Sequence, residues 1–410
     1  MENSDARAAF RYANFRYYLG FRVLSVLSSE MLAVAVGWQV YELTHRPLDL
    51  GLVGLAQFLP GILLFLVAGH TADRVPRRSI LLACMGAFSL ASALLLVFTL
   101  RGISQVYPIY LVLLLNGAAR AFSQPASQSL LPTLLDEKHF ANAVAWSASM
   151  FRTANVLGPI VGGLLYGFTS SPAPVYAACV AAYLAALLMT LRIQVKAAAR
   201  RKEPASLSMV LDGFRYLWSN KLILGAISLD LFAVLLGGAV ALLPVYASEI
   251  LKVGATGLGI LRCAPGAGAV VTAVMLAHRP LGRRQGAVML WCVVGFGLFT
   301  VVFGLSHSMT LSLIALALTG AFDMVSVVVR STMVQLGTPD HMRGRVSAVN
   351  AVFIGASNEV GQFESGITAQ WFGTVPAVVL GGIGTIVVVA VWAKLFPELR
   401  RVQEEVTVSR

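Results

Sequence analysis

Residues 69–78, Gly-His-Thr-Ala-Asp-Arg-Val-Pro-Arg-Arg, form a short polar and basic segment at the junction of two long apolar runs, residues 51–71 and 80–100. A helix needs about 20 apolar residues to cross the hydrocarbon core of a bilayer, and each run has that length. Arginines concentrate in the short cytoplasmic loops of membrane proteins. The stretch therefore predicts two membrane-spanning helices joined by a short cytoplasmic loop.

The rest of the chain repeats this alternation of apolar runs and short polar segments. Of its 410 residues, 57% are apolar and 12% are charged, with a mean hydropathy of +0.77. Soluble domains carry about 25% charged residues, so the composition excludes a soluble protein. We predict an all-α integral membrane fold with twelve transmembrane helices, called spans 1 to 12. The spans cover residues 17–43, 51–71, 80–100, 107–131, 140–167, 174–191, 222–248, 256–277, 286–305, 309–335, 346–371 and 375–394.

The basic residues of the polar segments lie almost entirely on one side of the predicted membrane. With the N-terminus inside, only Arg46, Arg101 and Lys252 fall in loops on the outer side. This asymmetry predicts that both termini are cytoplasmic, in a multi-pass protein of a bacterial inner membrane. The formal net charge of +12 follows from the same asymmetry. It favours anionic membrane lipid over nucleic acid as the partner of the basic side chains.

The chain divides into two halves with weak internal similarity. When the second half is aligned with the first at an offset of 203 residues, three residues of span 5 match three of span 11. Asn155, Gly158 and Gly163 align with Asn358, Gly361 and Gly366. Such repeats are typical of transporters built from two bundles. We predict an N-terminal six-helix bundle over residues 1–191, a cytoplasmic amphipathic linker on the membrane surface over 192–221, and a C-terminal six-helix bundle with a short tail over 222–410.

Two motifs resemble signatures of the major facilitator superfamily. Residues 69–78 are similar to the superfamily loop signature G-x-x-x-D-R-x-x-R-[RK], with Pro76 where the superfamily usually has glycine. Residues 154–163 resemble the G-x-x-x-G-P-x-x-G-G motif of its antiporter members, with Ala154 at the first glycine position. Spacing across nearly the whole chain is similar to the enterobactin-exporter-like branch, which exports siderophores and other small molecules. This resemblance implies two pseudo-symmetric six-helix halves and export.

The motif residues have physical roles that follow from their chemistry. Asp73 can cap a neighbouring helix N-terminus, while Arg74, Arg77 and Arg78 can pair with acidic groups or lipid phosphate, so we expect this loop to latch one conformation. In span 5, glycines permit close helix packing and proline permits a kink. The helix-packing residues are Gly158, Pro159, Gly162 and Gly163.

Nine ionisable residues fall well inside the predicted spans, although a charge at mid-bilayer costs at least about 2.5–3.5 kcal/mol. They are Glu30, Arg120, Arg152, Asp230, Arg262, Asp323, Arg330, Glu359 and Glu364. Spans 3, 6, 9 and 12 carry none of them, and in a major facilitator arrangement these four are the outer helices. The pattern predicts a polar pathway lined by the other helices.

Depth within the membrane divides these charges into two groups. Asp230 and Arg330 lie at similar depth near the inner ends of their spans, and Arg262 and Glu364 share the outer third, so both pairs are predicted gates. The residues near the mid-plane include three carboxylates, Glu30, Asp323 and Glu359, as predicted proton-coupling sites. The predicted cavity and substrate residues are Arg120, Arg152, Asn116 and Asn358. Glu30 and Arg120 also match the helices and depths where related multidrug exporters place an acidic proton carrier and an arginine.

These features favour a monomeric secondary transporter that exports a small organic molecule in exchange for protons. Uptake or flipping of a lysolipid-like molecule by the same fold remains an alternative, and an integral-membrane enzyme is a third. The sequence contains no phosphate-binding loop of the form G-x-x-x-x-G-K-[ST] and no cluster of metal-binding spacing among its four cysteines and six histidines. We therefore expect no cofactor, no metal and no catalytic residues.

Overall fold

The computed structural model describes residues 7–194, 207–279 and 284–401, and all regular structure in these ranges is helical. Residues 195–206 of the predicted linker, 280–283 after span 8 and 402–410 of the tail lie outside the described residues, as do residues 1–6. The helices are α1 (Ala13–Thr44), α2 (Pro47–Leu63), α3 (Phe65–Arg74), α4 (Arg77–Leu100), α5 (Tyr107–Leu130), α6 (Glu137–Thr169), α7 (Ala173–Arg192), α8 (Leu207–Ser219), α9 (Lys221–Leu236), α10 (Leu243–Val245), α11 (Gly254–His278), α12 (Gln285–Gly304), α13 (Met309–Gly337), α14 (Asp340–Phe372), α15 (Thr374–Leu395) and α16 (Pro397–Arg401).

Every predicted span overlaps helical segments, although spans 2 and 7 are interrupted. Eight helical segments of the described ranges are long and apolar enough to cross a membrane. They comprise α1, α4, α7, the segment Lys221–Ile250, α11, α12, α13 and α15. The other four spans are the shorter apolar helix α2 with α3, and the long helices α5, α6 and α14. These last three are less apolar because they carry many of the intramembrane polar residues.

Span 2 was predicted as one helix, and this prediction is wrong in detail. Helix α2 ends at Leu63 and α3 begins at Phe65, with Leu64 between them. The break follows Pro60, which lies inside α2 and lacks the N–H that a helix interior requires. That missing bond lies on the N-terminal side of Pro60, however, and Leu64 N–H still donates to the Pro60 carbonyl at 2.9 Å while Ala68 N–H donates to the Leu64 carbonyl at 2.7 Å. The interruption is therefore confined to Leu64.

Span 7 was also predicted as continuous, and it is interrupted more fully. Helix α9 ends at Leu236, and Gly237 and Gly238 precede a 3-10 turn at Ala239–Leu242. A Cβ at Gly237 would lie 2.5 Å from the Phe296 ring of α12. The hydroxyl of Ser365 on α14 donates to the Gly238 carbonyl at 3.1 Å, so a side chain of another helix satisfies the broken backbone.

Contacts divide the chain into two compact units. The first comprises Met1–Thr44 and Ala56–Ala205, and the second comprises His45–Leu55 and Ser206–Arg410. The start of α2 thus groups with the second unit, where Gly51 packs against the backbone of Gly366 and Phe363 on α14. The predicted boundaries at residues 191 and 222 stay a prediction.

Glycines of the internal repeat make equivalent contacts in the two units. In the first unit, a Cβ at Gly158 of α6 would lie 3.1 Å from the Leu27 carbonyl of α1, and one at Gly162 would lie 2.9 Å from Met31 Cα. In the second unit, a Cβ at Gly361 of α14 would lie 2.9 Å from the Leu235 carbonyl of α9. Small residues therefore bring α6 onto α1 and α14 onto α9 by the same mechanism.

The asparagines of the repeat, Asn155 and Asn358, make the same kind of hydrogen bond. The Asn155 side chain donates from Nδ2 to the Phe151 carbonyl at 3.1 Å, and Asn358 donates to the Ile354 carbonyl at 2.7 Å. Each amide thus bonds four residues back along its own helix. Pro159 and Gly163 are buried beside these contacts in α6, which agrees with a packing function.

The amphipathic segment of the linker forms α8, and one side of it packs on protein. Gly213 lies against the Arg345 carbonyl at the start of α14, and Leu217 is only 2% exposed among apolar side chains of α9, α13 and α14. Tyr216 donates to the Gly337 carbonyl at 3.1 Å. Trp218, by contrast, is 70% exposed. The sequence predicts that this segment lies on the membrane surface. Because one side of α8 packs on protein, that prediction now applies only to its exposed side, for which it stays a prediction.

A short N-terminal strap precedes α1. The Ala9 N–H donates to Asn142 Oδ1 of α6 at 3.2 Å, and the Tyr12 hydroxyl donates to Asp136 at 2.7 Å. This hydrogen bond to a carboxylate raises the pKa of Tyr12, because the neutral phenol is the form that donates. The contact is therefore present at neutral pH and is lost only as the pH rises through the raised pKa of Tyr12.

Close packing of α11 on α13 gives a direct test of this architecture. A Cβ at Gly268 would overlap the Ala317 carbonyl. We expect Gly268→Ala to lower the stability of the purified protein by about 1–3 kcal/mol, because overpacking forces the two helices apart. Thermal unfolding in detergent measures the effect. Gly355→Ala is the matched control, since a Cβ there meets no described atom within 4 Å. Equal stability of the two variants would contradict the packing argument.

Candidate functional site

In the first unit, the glycine contacts of α6 lie directly against Glu30. A Cβ at Gly158 would lie 2.5 Å from Glu30 Cβ and 3.3 Å from its Cγ. Glu30 is half-buried in the middle of α1, and the close contact with Gly158 involves its Cβ and Cγ. The antiporter-like motif and the predicted proton site are thus one structural feature.

A buried tyrosine connects Glu30 with a second predicted residue. The Tyr183 hydroxyl of α7 hydrogen-bonds Ser29 and lies within electrostatic range of both the Glu30 carboxylate and the Arg120 guanidinium. Tyr183 is almost fully buried and stacks on Phe88 of α4, with ring centroids 5.3 Å apart. A polar side chain from a predicted outer span therefore lies within electrostatic range of both Glu30 and Arg120. Sequence reasoning missed Tyr183, because a tyrosine within an apolar run gives no signal of its partners.

Two other predicted residues of the first unit occupy nearby helices. Arg152 is exposed on α6, in the turns before Gly158, and Asn116 is half-buried on α5 one turn before Arg120. Gly117 allows α5 to contact the Gln57 carbonyl of α2. Polar residues on α1, α5 and α6 thus accompany Glu30, and a substrate role for Arg152 and Asn116 stays a prediction.

Arg22, near the start of α1, is held inside the bundle. Its guanidinium lies 5.3 Å from the centroid of the Phe151 ring and donates to the Tyr18 hydroxyl at 2.8 Å. Cation–π contacts of this kind are worth about 0.5–2 kcal/mol. The sequence gives no indication of this contact, since Arg22 lies at a depth from which its side chain could reach the membrane surface.

Two arginines of the loop motif bind helix ends. Arg77 donates to the Ser129 carbonyl of α5 at 2.8 Å, and Arg78 donates to the Thr190 and Leu191 carbonyls of α7 at 3.3 and 2.6 Å. Cations at helix C-termini satisfy free carbonyls and the helix dipole. Arg74 is exposed at the end of α3. Asp73 lies in the same turn, but its side chain is outside the described part, so the gating roles of this loop stay a prediction.

In the second unit, Asp230 of α9 and Arg330 of α13 form a close ion pair. The residues are only 7% and 4% exposed. Depth counting predicts that these two side chains lie within reach, and the structure brings them together. A buried pair of this kind compensates two charges that would each be costly alone. Its function as a gate stays a prediction.

The other predicted carboxylates of the second unit bond along their own helix. Glu359 Oε2 accepts a hydrogen bond from Gln362 at 3.2 Å, and Glu364 Oε1 accepts one from Thr368 at 2.7 Å. Asp323 is half-buried on α13, two turns before Arg330. Arg262 is half-buried on α11, and its pairing with Glu364 stays a prediction, as does a substrate role for the exposed Asn358.

Sequence reasoning missed a polar chain buried in the first unit. The Tyr176 hydroxyl of α7 donates to Gln39 Oε1 of α1 at 2.7 Å, and Gln39 Nε2 donates to Thr99 of α4 at 3.0 Å. Nearby, Glu42 accepts hydrogen bonds from Trp38 at 2.5 Å and from Tyr166 at 2.7 Å. The signal in the sequence for this polar chain was Gln39, a glutamine inside an apolar run.

The Asp230–Arg330 pair predicts a specific mutational pattern. We expect Asp230→Asn or Arg330→Gln alone to cost about 3–5 kcal/mol in stability, because each leaves a buried charge uncompensated. The double variant should recover much of that loss. Thermal unfolding in detergent measures all three variants.

The pair of Asp212 and Arg345 is the matched control. Its atoms lie 3.3 Å apart, and its side chains are 44% and 35% exposed, so Asp212→Asn should cost less than about 1 kcal/mol. A double variant of Asp230 and Arg330 no more stable than the worse single variant would refute coupling between them.

Comparisons with known proteins agree with this arrangement. A family model described as "Transmembrane secretion effector" matches residues 4–410. The enterobactin exporter EntS of Shigella boydii serotype 4 (strain Sb227) is 27% identical over 393 residues, which are 95% of this chain and 93% of that protein. EntS of Escherichia coli O81 (strain ED1a) gives the same identity and coverage.

Solved structures show the same fold at low sequence identity. An inward-facing, unoccupied bacterial homologue of the human lysosomal transporter Spinster has a TM-score of 0.72 at 13% identity, covering 99% of each chain. The nucleoside transporter NupG has a TM-score of 0.68 at 15% identity, covering 93% of this chain and 99% of that one. With the family match over nearly all residues, these likenesses confirm the predicted twelve-span fold and exclude the enzyme alternative. The chain belongs to the transmembrane secretion effector family of the major facilitator superfamily, whose members are secondary transporters that work by alternating access.

Proposed function

We propose that this transporter exports a small organic molecule across a bacterial inner membrane in exchange for protons, with both termini in the cytoplasm. The observation that carries the proposal is Glu30, a half-buried carboxylate placed by Gly158 and grouped with Arg120 and Tyr183. The names of the EntS relatives support export, and a siderophore-like molecule is the first substrate class to test.

The chemistry of this cluster suits proton exchange. An ionised carboxylate within a membrane needs compensation, which the guanidinium of Arg120 and neighbouring hydroxyls can provide. A substrate that donates a hydrogen bond to the ionised Glu30 carboxylate occupies the oxygens that a proton would bind, while Arg120 offers its charge to a neighbouring acceptor of the same substrate. Proton binding and substrate binding therefore compete for one carboxylate, as antiport requires.

The remaining predicted residues have supporting roles in this proposal. Arg152, Asn116 and Asn358 offer charge and hydrogen bonds to the substrate, and Asp323 and Glu359 are alternative proton carriers. The gating residues are Asp73, Arg74, Arg77, Arg78, Asp230, Arg330, Arg262 and Glu364. The ion pair of Asp230 and Arg330 and the helix-end contacts of Arg77 and Arg78 support this assignment, because such contacts can differ between two states. The proposed partners are the substrate, protons and membrane lipid, and the proposed oligomeric state is a monomer.

Neutralising Glu30 tests the coupling. We expect Glu30→Gln to abolish accumulation driven by a pH gradient, because an amide keeps the shape of the side chain but carries no exchangeable charge. Everted membrane vesicles with an acidic lumen measure uptake of a panel of catecholate siderophores and cationic drugs. Binding of the same compounds to purified Glu30→Gln should persist.

Glu398→Gln is the matched control, because Glu398 is an exposed surface residue in α16. Gradient-driven accumulation by Glu30→Gln at the wild-type rate would assign coupling to Asp323 or Glu359 instead. Accumulation that requires an alkaline lumen, or transport in the opposite direction, would contradict antiport export.

The contact of Gly158 with Glu30 gives a second test. A methyl group in Gly158→Ala must displace Glu30, and a misplacement of about 1 Å at a functional group lowers rates by about a hundred-fold. We therefore expect a ten- to hundred-fold loss of gradient-driven transport. Gly86→Ala in α4 is the control, because a Cβ at Gly86 would have Leu187 Cδ1 as its nearest neighbour, at 3.9 Å. Wild-type transport by Gly158→Ala would show that the contact does not position Glu30.

A further inference from the structure

A groove on the first unit is distinct from the polar cluster. Helices α3 and α4 form its walls and α5 forms its floor, and it encloses about 370 Å³. Its lining is almost entirely apolar, with Thr71 on α3, Val75 directly after α3, Ala83 and Ala87 on α4, and Ala118 and Phe122 on α5. The alanines create the space, because larger side chains at these positions would fill it.

The groove runs along the helices from the loop of residues 74–78 into the membrane. On α4 its lining extends from Ser79 to Ala87, which is about 12 Å at the rise of an α-helix. One leaflet of a bilayer supplies about 15 Å of hydrocarbon, half of the core. The groove therefore has the length and the polarity of one acyl chain within a single leaflet.

The mouth of the groove is strongly basic. Val75 and Ser79 line this end, and they are flanked in sequence by Arg74, Arg77 and Arg78. Arg77 and Arg78 bind carbonyls at the ends of α5 and α7, so their charges are held at this surface, and Arg74 is exposed. An anionic headgroup complements this charge at the level where the headgroup of a lipid in the groove would lie.

We propose that the groove binds an anionic phospholipid from the leaflet that contains the loop of residues 74–78. One acyl chain lies between α3 and α4 on α5, and the phosphate lies beside Arg74. The site selects by charge at its mouth and by length within the membrane, and it is separate from the substrate cluster around Glu30.

Phe122→Trp places a fluorescent reporter in the lining, and its emission is compared with that of the protein carrying only the native tryptophans. Delipidated Phe122→Trp protein in detergent is titrated with phosphatidylglycerol whose acyl chains carry bromine, a contact quencher. We expect saturable quenching. Phosphatidylcholine with the same chains should need about five times the concentration, since one arginine near an anionic surface is worth about that factor.

Variants made in the reporter protein separate chain from headgroup. Ala118→Phe, or the milder Ala83→Leu at the rim, should remove the saturable quenching by filling the groove. Leu111→Phe is the control, because Leu111 is 68% exposed on the same helix and lies outside the lining. Arg74→Gln should abolish the preference for phosphatidylglycerol, while Arg101→Gln at the opposite end of α4 should preserve it.

Three results would overturn the proposal. Saturable quenching that survives in both filled variants would place the lipid elsewhere. Equal binding of phosphatidylglycerol and phosphatidylcholine by the reporter protein would show that the mouth of the groove does not select an anionic headgroup. Equal quenching by a sugar-headed detergent with brominated chains would reduce the groove to ordinary hydrocarbon-facing surface.

Discussion

The cost of placing charge inside a membrane is the constraint on which this structure depends. An ionised side chain at mid-bilayer is unfavourable by at least about 2.5–3.5 kcal/mol, so each must be paired, hydrogen-bonded or hydrated. The buried pair of Asp230 and Arg330 meets this requirement by direct contact. Glu30 is half-buried and Arg120 is exposed, and the Tyr183 hydroxyl lies within electrostatic range of both. The difference suits two functions, because a close buried pair holds a structure together whereas a half-buried carboxylate can exchange a proton.

Glycines permit the close helix contacts of each unit, and one of these contacts lies directly against the charged residue Glu30. Gly158 brings α6 onto α1 at the level of Glu30, and Gly361 brings α14 onto α9 in the second unit. The equivalent contact in each unit explains why the repeat preserves these glycines at a fixed offset. In the second unit the close approach also accommodates the break at Gly237 and Gly238, where Ser365 satisfies the free carbonyl of Gly238. Interrupted spanning helices are tolerated where another helix supplies the missing hydrogen bond, and in transporters they commonly lie beside substrate sites.

The basic loop of residues 74–78 combines three properties that its sequence signature does not separate. Its positive charge predicts that the loop lies on the cytoplasmic side of the membrane. Arg77 and Arg78 bind the carbonyl ends of α5 and α7, which ties three helices of the first unit together. The same loop ends beside the apolar groove floored by Ala118 and Phe122, where charge and hydrocarbon meet at one point. A loop of this kind can contribute to helix assembly and to lipid recognition as well as to gating.

The sequence by itself determined the positions of the twelve spans and the two-bundle family fold, and depth within the membrane predicted that Asp230 and Arg330 lie within reach of each other. The spans follow from the length of the apolar runs and the pairing from depth, both of which the bilayer imposes on each segment separately. The family fold follows from the spacing of the motifs. Only the tertiary structure decided that α9 stops at Leu236, that Arg77 and Arg78 bind helix ends, that Leu217 of α8 is buried, and that Tyr183 lies within electrostatic range of both Glu30 and Arg120. Each of these depends on a partner far away in the chain. Hydropathy sets how a segment meets lipid, but side-chain contacts are set by which helices approach closely enough to touch.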